Sequence, residues 1–367
     1  MAVFIHQLSN WPKFFWNQET IEPSLHQAQF SLGHLLGRLA DLGFSTRSTF
    51  AVQELSETIV RSAEIEGEIL NLEEVRSSIA KRLGIQYVGS FQTSRSVDAM
   101  VEMMMDATGK FSEPLSKERL CSWQAALFPN GYSGMFKIEV GQWRTNPSSD
   151  PMQVVSGASG RDVIHFKAPD SVLVPAEMDT FLHWVNTEKD LNSIIKAAMA
   201  HFWFVTIHPF DDGNGRISRA ITEYLLAQFE NQPQRFYSIS NQMRIDRNNY
   251  YRILEETQKG NLDITIWLQW FLQCFERSLT ASALTLDKVL IRVRFWERNA
   301  GVAFNARQQK MLSLLLDHYE GKLNAAKWSK IAKVSHDTAL RDINDLISKG
   351  VLIKEASFGK NTSYVLR

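Results

Sequence analysis

Most of this 367-residue sequence predicts α-helix, and three observations set the fold class. Apolar side chains recur at helical spacing through much of the chain, most regularly at Leu191, Ile194, Ile195, Ala198, Met199, Phe202 and Trp203. Two short β-prone runs, 152–156 and 163–166, stand together in a break rich in glycine and proline and predict one small hairpin. From 305 to 367, three helical patterns are followed by two strand patterns, the order of a winged helix-turn-helix. The expectation is a mainly α protein: a helical core with a small β hairpin, plus a C-terminal winged helix.

Composition narrows the class. With 44% hydrophobic and 22% charged residues the chain is an ordinary globular one, long enough for two or three domains. Its net charge is zero and its pI near 7.1, so nothing global favours nucleic acid or an anionic membrane as the main partner. Cys121 and Cys274 lie far apart and make neither a disulfide framework nor a zinc set, which points to a reducing compartment. The opening MAVFIHQLSNW lacks a basic stretch followed by a sustained apolar one, and no apolar run of about 18 residues occurs. A cytoplasmic protein with no membrane partner is expected.

Taken in order, the first 20 residues bunch Trp11, Phe14, Phe15 and Trp16 around Pro12, the pattern of a segment pinned to a helical body. A helix from 22 to about 42 stops at Gly43. The next, from about 49 to 66, buries Val52, Leu55, Ile59 and Ala63 and has Gly67 at its C′ position. Glu64, Glu66 and Glu68 crowd its negative dipole end, where an exposed carboxylate costs roughly 0.3–1 kcal/mol unless a cation compensates. Either they are solvated or a cationic partner is implied. Residues 71–128 read as helical throughout, with Met100, Met103, Met104 and Met105 as adaptable core. Gly131, Gly134, Gly141, Pro147 and Pro151 then break the pattern, and the hairpin turns at Gly157-Ala158-Ser159-Gly160.

The segment 191–219 carries the chemistry. Its helix is expected to stop at His208, because Pro209 disfavours helical backbone before it and cannot extend the ladder. Asp211-Asp212-Gly213-Asn214-Gly215 forms no regular element; its glycines and Asn tolerate positive φ and let backbone amides converge on an anion. A second helix starts near Arg216, with Ile217, Ala220, Ile221, Tyr224 and Leu225 as its core stripe. Its positive dipole end opens onto the loop, and Arg216 and Arg219 sit side by side on its first turn. A His with a near-neutral reference pKa, a carboxylate, bare amides and two guanidiniums suit a nucleotide's phosphates and a divalent metal. Arg216 falls where an EF-hand needs a calcium ligand, and no GxxxxGK[ST] occurs, so neither an EF-hand nor a Walker loop fits.

Farther on, Asn248-Asn249-Tyr250-Tyr251 opens another helix whose aromatics either pack on a base or fill the core. Residues 262–298 give one or two more helices. The C-terminal helices fall at 308–319, 325–333 and 335–349, the last capped by Ser335, and strands 351–353 and 363–366 flank Gly359. Residues 301–367 hold eleven Lys and Arg against six Asp and Glu. His336, Thr338 and Arg341 are placed for base or phosphate contacts, while Asp337, Asp342 and Asp345 interrupt the basic face. DNA, a docked protein and a second copy of the chain in a homodimer stay open as partners of this end.

His208-Pro209-Phe210-Asp211-Asp212-Gly213-Asn214-Gly215-Arg216-Ile217-Ser218-Arg219 resembles the Fic motif, HxFx[DE]GNGRxxR, at every defining position. The resemblance implies a protein adenylyltransferase that moves AMP from ATP to a Ser, Thr or Tyr hydroxyl of a target protein or of itself, with Mg²⁺ as the metal. By position, His208 is the general base and Asp212 the Mg²⁺ ligand. Gly213, Asn214, Gly215 and Arg216 cradle the α- and β-phosphates, Arg219 meets the γ-phosphate, and Ile217 and Ser218 go with the same ATP site. Ser62-Ala63-Glu64-Ile65-Glu66-Gly67 is similar to the family's inhibitory motif [ST]xxxE[GN], which implies that Glu66 pairs with Arg219, with Ser62 and Gly67 completing the motif. The hairpin resembles the family's flap, which clamps a target segment by strand-like pairing and would set Val154, Val155 and Ser156 nearest the nucleotide. Tyr250 and Tyr251 match a Tyr pair the family commonly carries, followed by Asn where this chain has Gln258. The aromatic N-terminal segment resembles a domain found before some Fic cores. The expected domains are an N-terminal helical domain at 1–100, a catalytic core at 101–295 and the winged helix at 296–367. Two other functions stay open: a hydrolase that removes AMP at the same site, and an ATP-sensing DNA-binding regulator.

Overall fold

A computed structural model describes residues 3–40, 42–84, 92–156, 163–317, 321–355 and 362–367. They are mainly α-helical, with three two-stranded antiparallel sheets, and form two compact units, Met1–Ser282 and Ala283–Arg367.

In the first unit, Trp11 and Phe14 set their edges against Phe202 and Trp203, and Phe15 exchanges backbone hydrogen bonds with Leu262 and Ile264. Helices α1 (Gln18–Ala40) and α2 (Phe44–Ile65) follow. Residues 71–128, expected as helical throughout, are instead three helices: α3 (Leu72–Arg82), α4 (Arg95–Gly109) and α5 (Lys117–Leu127). Asn71, Ser94 and Ser116 each open one by accepting an amide hydrogen of its first turn, so side-chain caps override the continuous apolar spacing. Strands β1 (Tyr132–Ser133) and β2 (Phe136–Lys137) turn around Gly134 at φ +56° in a hairpin that the sequence reading treats only as a break. The expected hairpin is β3 (Gln153–Ser156) against β4 (Val163–Lys167), in a register from Gln153↔Lys167 to Ser156↔Val163. Its turn at 157–160 lies outside the described residues.

Helices α6 (Val174–Thr187), α7 (Ser193–Ile207), α8 (Asn214–Glu230), α9 (Ile239–Ile245), α10 (Arg247–Gln258) and α11 (Thr265–Arg298) complete the order, α11 being one continuous helix. Periodicity predicts one buried face for α7, but the helix is enclosed nearly all round, from Ile194 to Ile207. The side chains off its apolar stripe are themselves apolar or, like His201 and Thr206, internally bonded, and a helix of that kind belongs in the centre. The neighbouring α8 packs against α2, α4, α5 and α7, so the loop between α7 and α8 emerges from the best-packed part of the unit.

The second unit holds α11 from Ala283 onward, α12 (Ala306–Asp317), α13 (Ala325–Ala332), α14 (His336–Ser348) and the antiparallel pair β5 (Leu352–Lys354) and β6 (Tyr364–Leu366). Met311, Leu312, Trp328, Ile343, Leu346, Leu352 and Tyr364 form its core. Residues 318 and 319, expected to end its first helix, and Gly359 lie outside the described residues.

Candidate active site

The site begins where α7 fails. His208 caps α7 in the left-handed region, φ 52° and ψ 59°, a conformation that costs a non-glycine residue about 1 kcal/mol. Arg144 holds it there. This buried guanidinium donates from Nε to the His208 carbonyl at 2.7 Å, from Nη2 to the Pro169 carbonyl at 2.5 Å and from Nη1 to Asn146 Oδ1 at 2.7 Å. Its own amide donates to the Pro209 carbonyl at 2.9 Å. Nothing in the sequence signals this role, because Arg144 lies in the aperiodic stretch. His208 Nδ1 is 3.2 Å from the Val205 carbonyl, which can only accept; Nδ1 therefore carries the proton and Nε2 keeps a lone pair. Burial pushes this imidazole down to about 4, so it is neutral at physiological pH.

The loop uses its two carboxylates differently. Asp211 accepts the Glu139 amide at 2.9 Å and anchors the chain beyond β2. Asp212 remains partly exposed, accepts hydrogen bonds from the Ser133 hydroxyl of β1 and from the Gly213 amide, and lies 3.6 Å from Arg216 Nη2. Asn214 spends its side chain on the loop itself, bonding the Phe210 amide and carbonyl at 3.0 and 2.7 Å. Gly213 sits at φ +91°, and a Cβ there would come 3.0 Å from the Phe128 ring. The first-turn amides of α8 have no intrahelical acceptor and carry the positive end of the dipole.

Both guanidiniums of α8 are engaged by the end of α2. Arg219, whose side chain is fully buried, donates from Nε to Ser62 Oγ and from Nη2 to the Ser62 carbonyl and Glu66 Oε1, all at 2.8 Å. Arg216 stacks 4.9 Å over Phe128 and donates to Glu68 Oε2 at 2.9 Å. Gly67, at φ +85°, makes the turn that aims Glu66 and Glu68 at successive arginines. At Gly215 a Cβ would lie 2.1 Å from Glu66 Oε1, so the bare backbone is what admits the carboxylate. Glu64 is met by Arg61 and Arg244, and the Ile65 carbonyl accepts from Arg247 Nε at 2.8 Å. The sequence left solvation or a cation open for this cluster, and the resemblance to the inhibitory motif implied Glu66 against Arg219; neither pointed to the pairing of Glu68 with Arg216 or the grip of Arg247.

A cavity of about 600 Å³ opens beside these groups, within the size range of small-molecule sites. Its wall brings together Glu66, Val154, Val155, His208, Gly215, Tyr250, Tyr251 and Gln258. Ser156 is not part of that wall, and Ile217 and Ser218 lie on the buried side of α8, with Ser218 donating to the Gly215 carbonyl at 2.8 Å. The Tyr250 hydroxyl is 2.9 Å from Nε2 of buried His201, and Gln258 Nε2 donates to Thr206 Oγ1 at 3.2 Å. His165 of β4 pairs with Glu255 of α10 at 2.7 Å at the cavity's edge.

The donor set fits a polyphosphate. Arg216 Nε and Arg219 Nη1 are buried without a hydrogen-bond partner among the described residues. Asp212 offers a hard oxygen to a divalent cation, and no cluster of three His, Cys, Asp or Glu that could hold a metal occurs among the described residues. A cation here would therefore rely on phosphate oxygens for its other ligands.

Residues 114–226 match the model of the Fic/DOC family, and residues 4–85 match a domain of unknown function, DUF4172. The chain carries a Fic/DOC-family domain. The Fic/DOC match spans the α7–α8 loop with His208 and both arginines, while the segment with Ser62, Glu66 and Glu68 falls in the other match. Among curated relatives, a probable protein adenylyltransferase of Aquifex aeolicus (strain VF5) is 25% identical over 204 residues, covering 56% of this chain and 55% of that protein. The protein adenylyltransferase Fic of Drosophila virilis is 27% identical over 227 residues, covering 60% and 41%. That of Drosophila grimshawi is 36% identical over 104 residues, covering 28% and 20%. The chain thus spans about half or less of the length of these relatives. A Fic family protein from Desulfovibrio desulfuricans G20 shares the fold over 96% of this chain and 97% of its own, with TM-score 0.55 and 18% identity. A Fic domain containing signaling protein from Bacteroides thetaiotaomicron VPI-5482 covers 72% and 95%, with TM-score 0.50 and 21% identity. No helix among the described residues is long and apolar enough to cross a membrane.

Proposed function

We propose that this Fic/DOC protein transfers AMP from Mg·ATP to a Ser, Thr or Tyr hydroxyl of a target protein, or of itself, and that the end of α2 holds it inactive. The observation that carries the reading is the neutral His208 ring, its Nδ1–H committed to the Val205 carbonyl, on the wall of a cavity that Gly215 of α8 also lines. The acceptor oxygen attacks the α-phosphorus, an O–P bond forms, the bond to the β-phosphate bridge breaks, and pyrophosphate leaves. The hydroxyl proton goes to His208 Nε2. Asp212 would hold Mg²⁺, which when bound supplies charge neutralisation to the phosphate oxygens. The amides at the start of α8, with Arg216 and Arg219, bind and orient the phosphates. Tyr250, Tyr251 and Val155 would border the base.

In the arrangement observed, Arg219 is spent on Ser62 and Glu66 and Arg216 on Glu68. Transfer then requires both carboxylates to yield to phosphate. Glu66 lines the same cavity as His208, and this favours a second reading in which Glu66 orients a water that removes AMP from a modified protein. The reading places the protein in the cytoplasm, where ATP is at hand and thiols such as Cys121 and Cys274 stay reduced. Incubation with Mg²⁺ and ATP labelled in the α-phosphate, followed by intact-mass analysis, tests transfer; a chain and candidate targets that never gain AMP, even in the Glu66→Gly variant, would refute it. An AMP-modified target incubated with the protein and Mg²⁺ alone tests removal.

A further inference from the structure

The interrupting acids of α14 fall into two groups. Asp342 is buried and bound twice by Arg307, Nε to Oδ2 at 2.8 Å and Nη2 to Oδ1 at 3.0 Å, and Asn305 adds a bond at 2.9 Å. Asp345 Oδ2 accepts from Gln308 at 2.7 Å and from Lys349 at 2.5 Å. Both carboxylates lie toward α12 and are neutralised within the unit. The exposed stripe of α14 is Asp337, Arg341 and Asn344, at spacings of four and three that put them on one face. Lys330 at the end of α13, Lys333 in the turn and Lys354 on β5 are also exposed. These three lysines and Arg341 form no ion pair among the described residues. Among the described residues, Lys330, Lys333, Arg341 and Lys354 are thus exposed cations without an ion pair, and Asp337 is the exposed carboxylate of the α14 stripe.

Local geometry supports a groove-reading element. Helices α13 and α14 are joined by residues 333–335, closed by the Val334 amide on the Ser329 carbonyl at 3.0 Å, with Lys333 at φ 54°. Ser335 caps α14 through the Thr338 amide at 3.2 Å. The underside of α14 is locked by Ala339, Ile343 and Leu346 in the unit's core, so the polar stripe is rigidly displayed. This is a helix-turn-helix followed by a strand pair, the arrangement in which the second helix enters a major groove about 12 Å wide.

We propose that the second unit binds duplex DNA. Arg341 and Asn344 read base edges, for which their chemistry suits guanine O6/N7 and adenine N6/N7, and Asp337 accepts from a cytosine amino group. Lys330, Lys333 and Lys354 lie against phosphates. The proposal is independent of AMP transfer.

The test uses the full chain and a fluorescein-labelled duplex of random sequence, read by anisotropy. Three phosphate contacts predict a salt slope near −2.7, so affinity should fall about 40-fold between about 50 and about 200 mM salt. Lys330→Gln combined with Lys333→Gln should flatten the slope by about 2. Enrichment from a random duplex pool should yield a guanine that Arg341→Ala no longer selects, with the slope unchanged. A helical circular-dichroism spectrum and a melting curve equal to those of the unaltered chain serve as the folding control for each variant. The proposal is overturned by absence of duplex binding at low salt or by equal affinity in the double-lysine variant. Equal preference for duplex RNA, whose major groove is too narrow for a helix, overturns it as well.

Discussion

Replacing Glu66 with glycine tests the inhibitory reading most directly. Arg219 would keep its bonds to Ser62, one of them from Nη2, but lose the 2.8 Å bond from Nη2 to Glu66 Oε1, and Nη1 already lacks a partner among the described residues. A charge-assisted hydrogen bond of this kind contributes roughly 1.5–3 kcal/mol. The Arg219 side chain is fully buried but that of Glu66 is 31% exposed, so the lower part of that range applies. Releasing about 1.5–2 kcal/mol should raise self-labelling by α-labelled ATP about 10- to 30-fold. Glu68→Gln frees Arg216, whose pair with a 32% exposed side chain is worth about 1 kcal/mol, or about 5-fold in ATP affinity. Calorimetric titration in a His208→Ala background separates affinity from turnover. If Glu66→Gly changes neither the labelling rate nor ATP affinity, the carboxylate is a structural cap of α2 and the autoinhibitory reasoning fails.

His208→Ala should cut transfer by about 10²–10⁴-fold, the usual contribution of a positioned base, while leaving the melting temperature nearly unchanged. Transfer should depend on the neutral ring, so its rate should stay level down to about pH 5 and decline as pH drops toward about 4; a decline centred on 6.5 would refute the perturbed environment of His208. Stability should follow the same direction. Burial holds His208 and His201 at about 4 and about 3, below their ordinary 6.5, so the unfolded chain takes up protons first as pH falls. Their contribution is present above 6.5 and lost on the way to about 4 for His208 and about 3 for His201, about 2 kcal/mol for each at about pH 5, read as a lower urea midpoint there than at neutral pH. Arg144→Met should strand the His208 and Pro169 carbonyls and destabilise the protein by about 3 kcal/mol, lowering transfer without Arg144 ever touching substrate.

What could be read from the sequence is what depends on neighbours along the chain. Pro209 ends α7 because of its own backbone limits, so the loop's His and its two arginines were legible before any packing was known, whereas α8 starts at Asn214 rather than near Arg216 as expected, because Gly213 already takes the left-handed cap position. Asn71, Ser94 and Ser116 were local signals too, overlooked because an unbroken apolar pattern was allowed to outweigh them. The β1–β2 hairpin has two residues per strand, too few to show alternation. Asp211 and Asp212 are identical in type and adjacent, and only the Glu139 amide and the Ser133 hydroxyl, some seventy residues earlier, give one to the scaffold and leave the other to the site.

The end of α2 shows the boundary between the two kinds of information. Three glutamates at a negative helix end are either solvated or met by cations, and that much is electrostatics of the local sequence. Which cations they meet depends on the left-handed turn at Gly67, the missing Cβ at Gly215 and the three-residue spacing of Arg216 and Arg219 acting together. Filling any one of these would disturb the match: a side chain at 215 would collide with Glu66, and a β-branched residue at 67 would oppose the turn that aims Glu68. On the proposed function, the glycines that would bare the start of α8 to phosphate are also what lets the Glu66 carboxylate approach it, so binding and restraint would draw on one feature of the backbone.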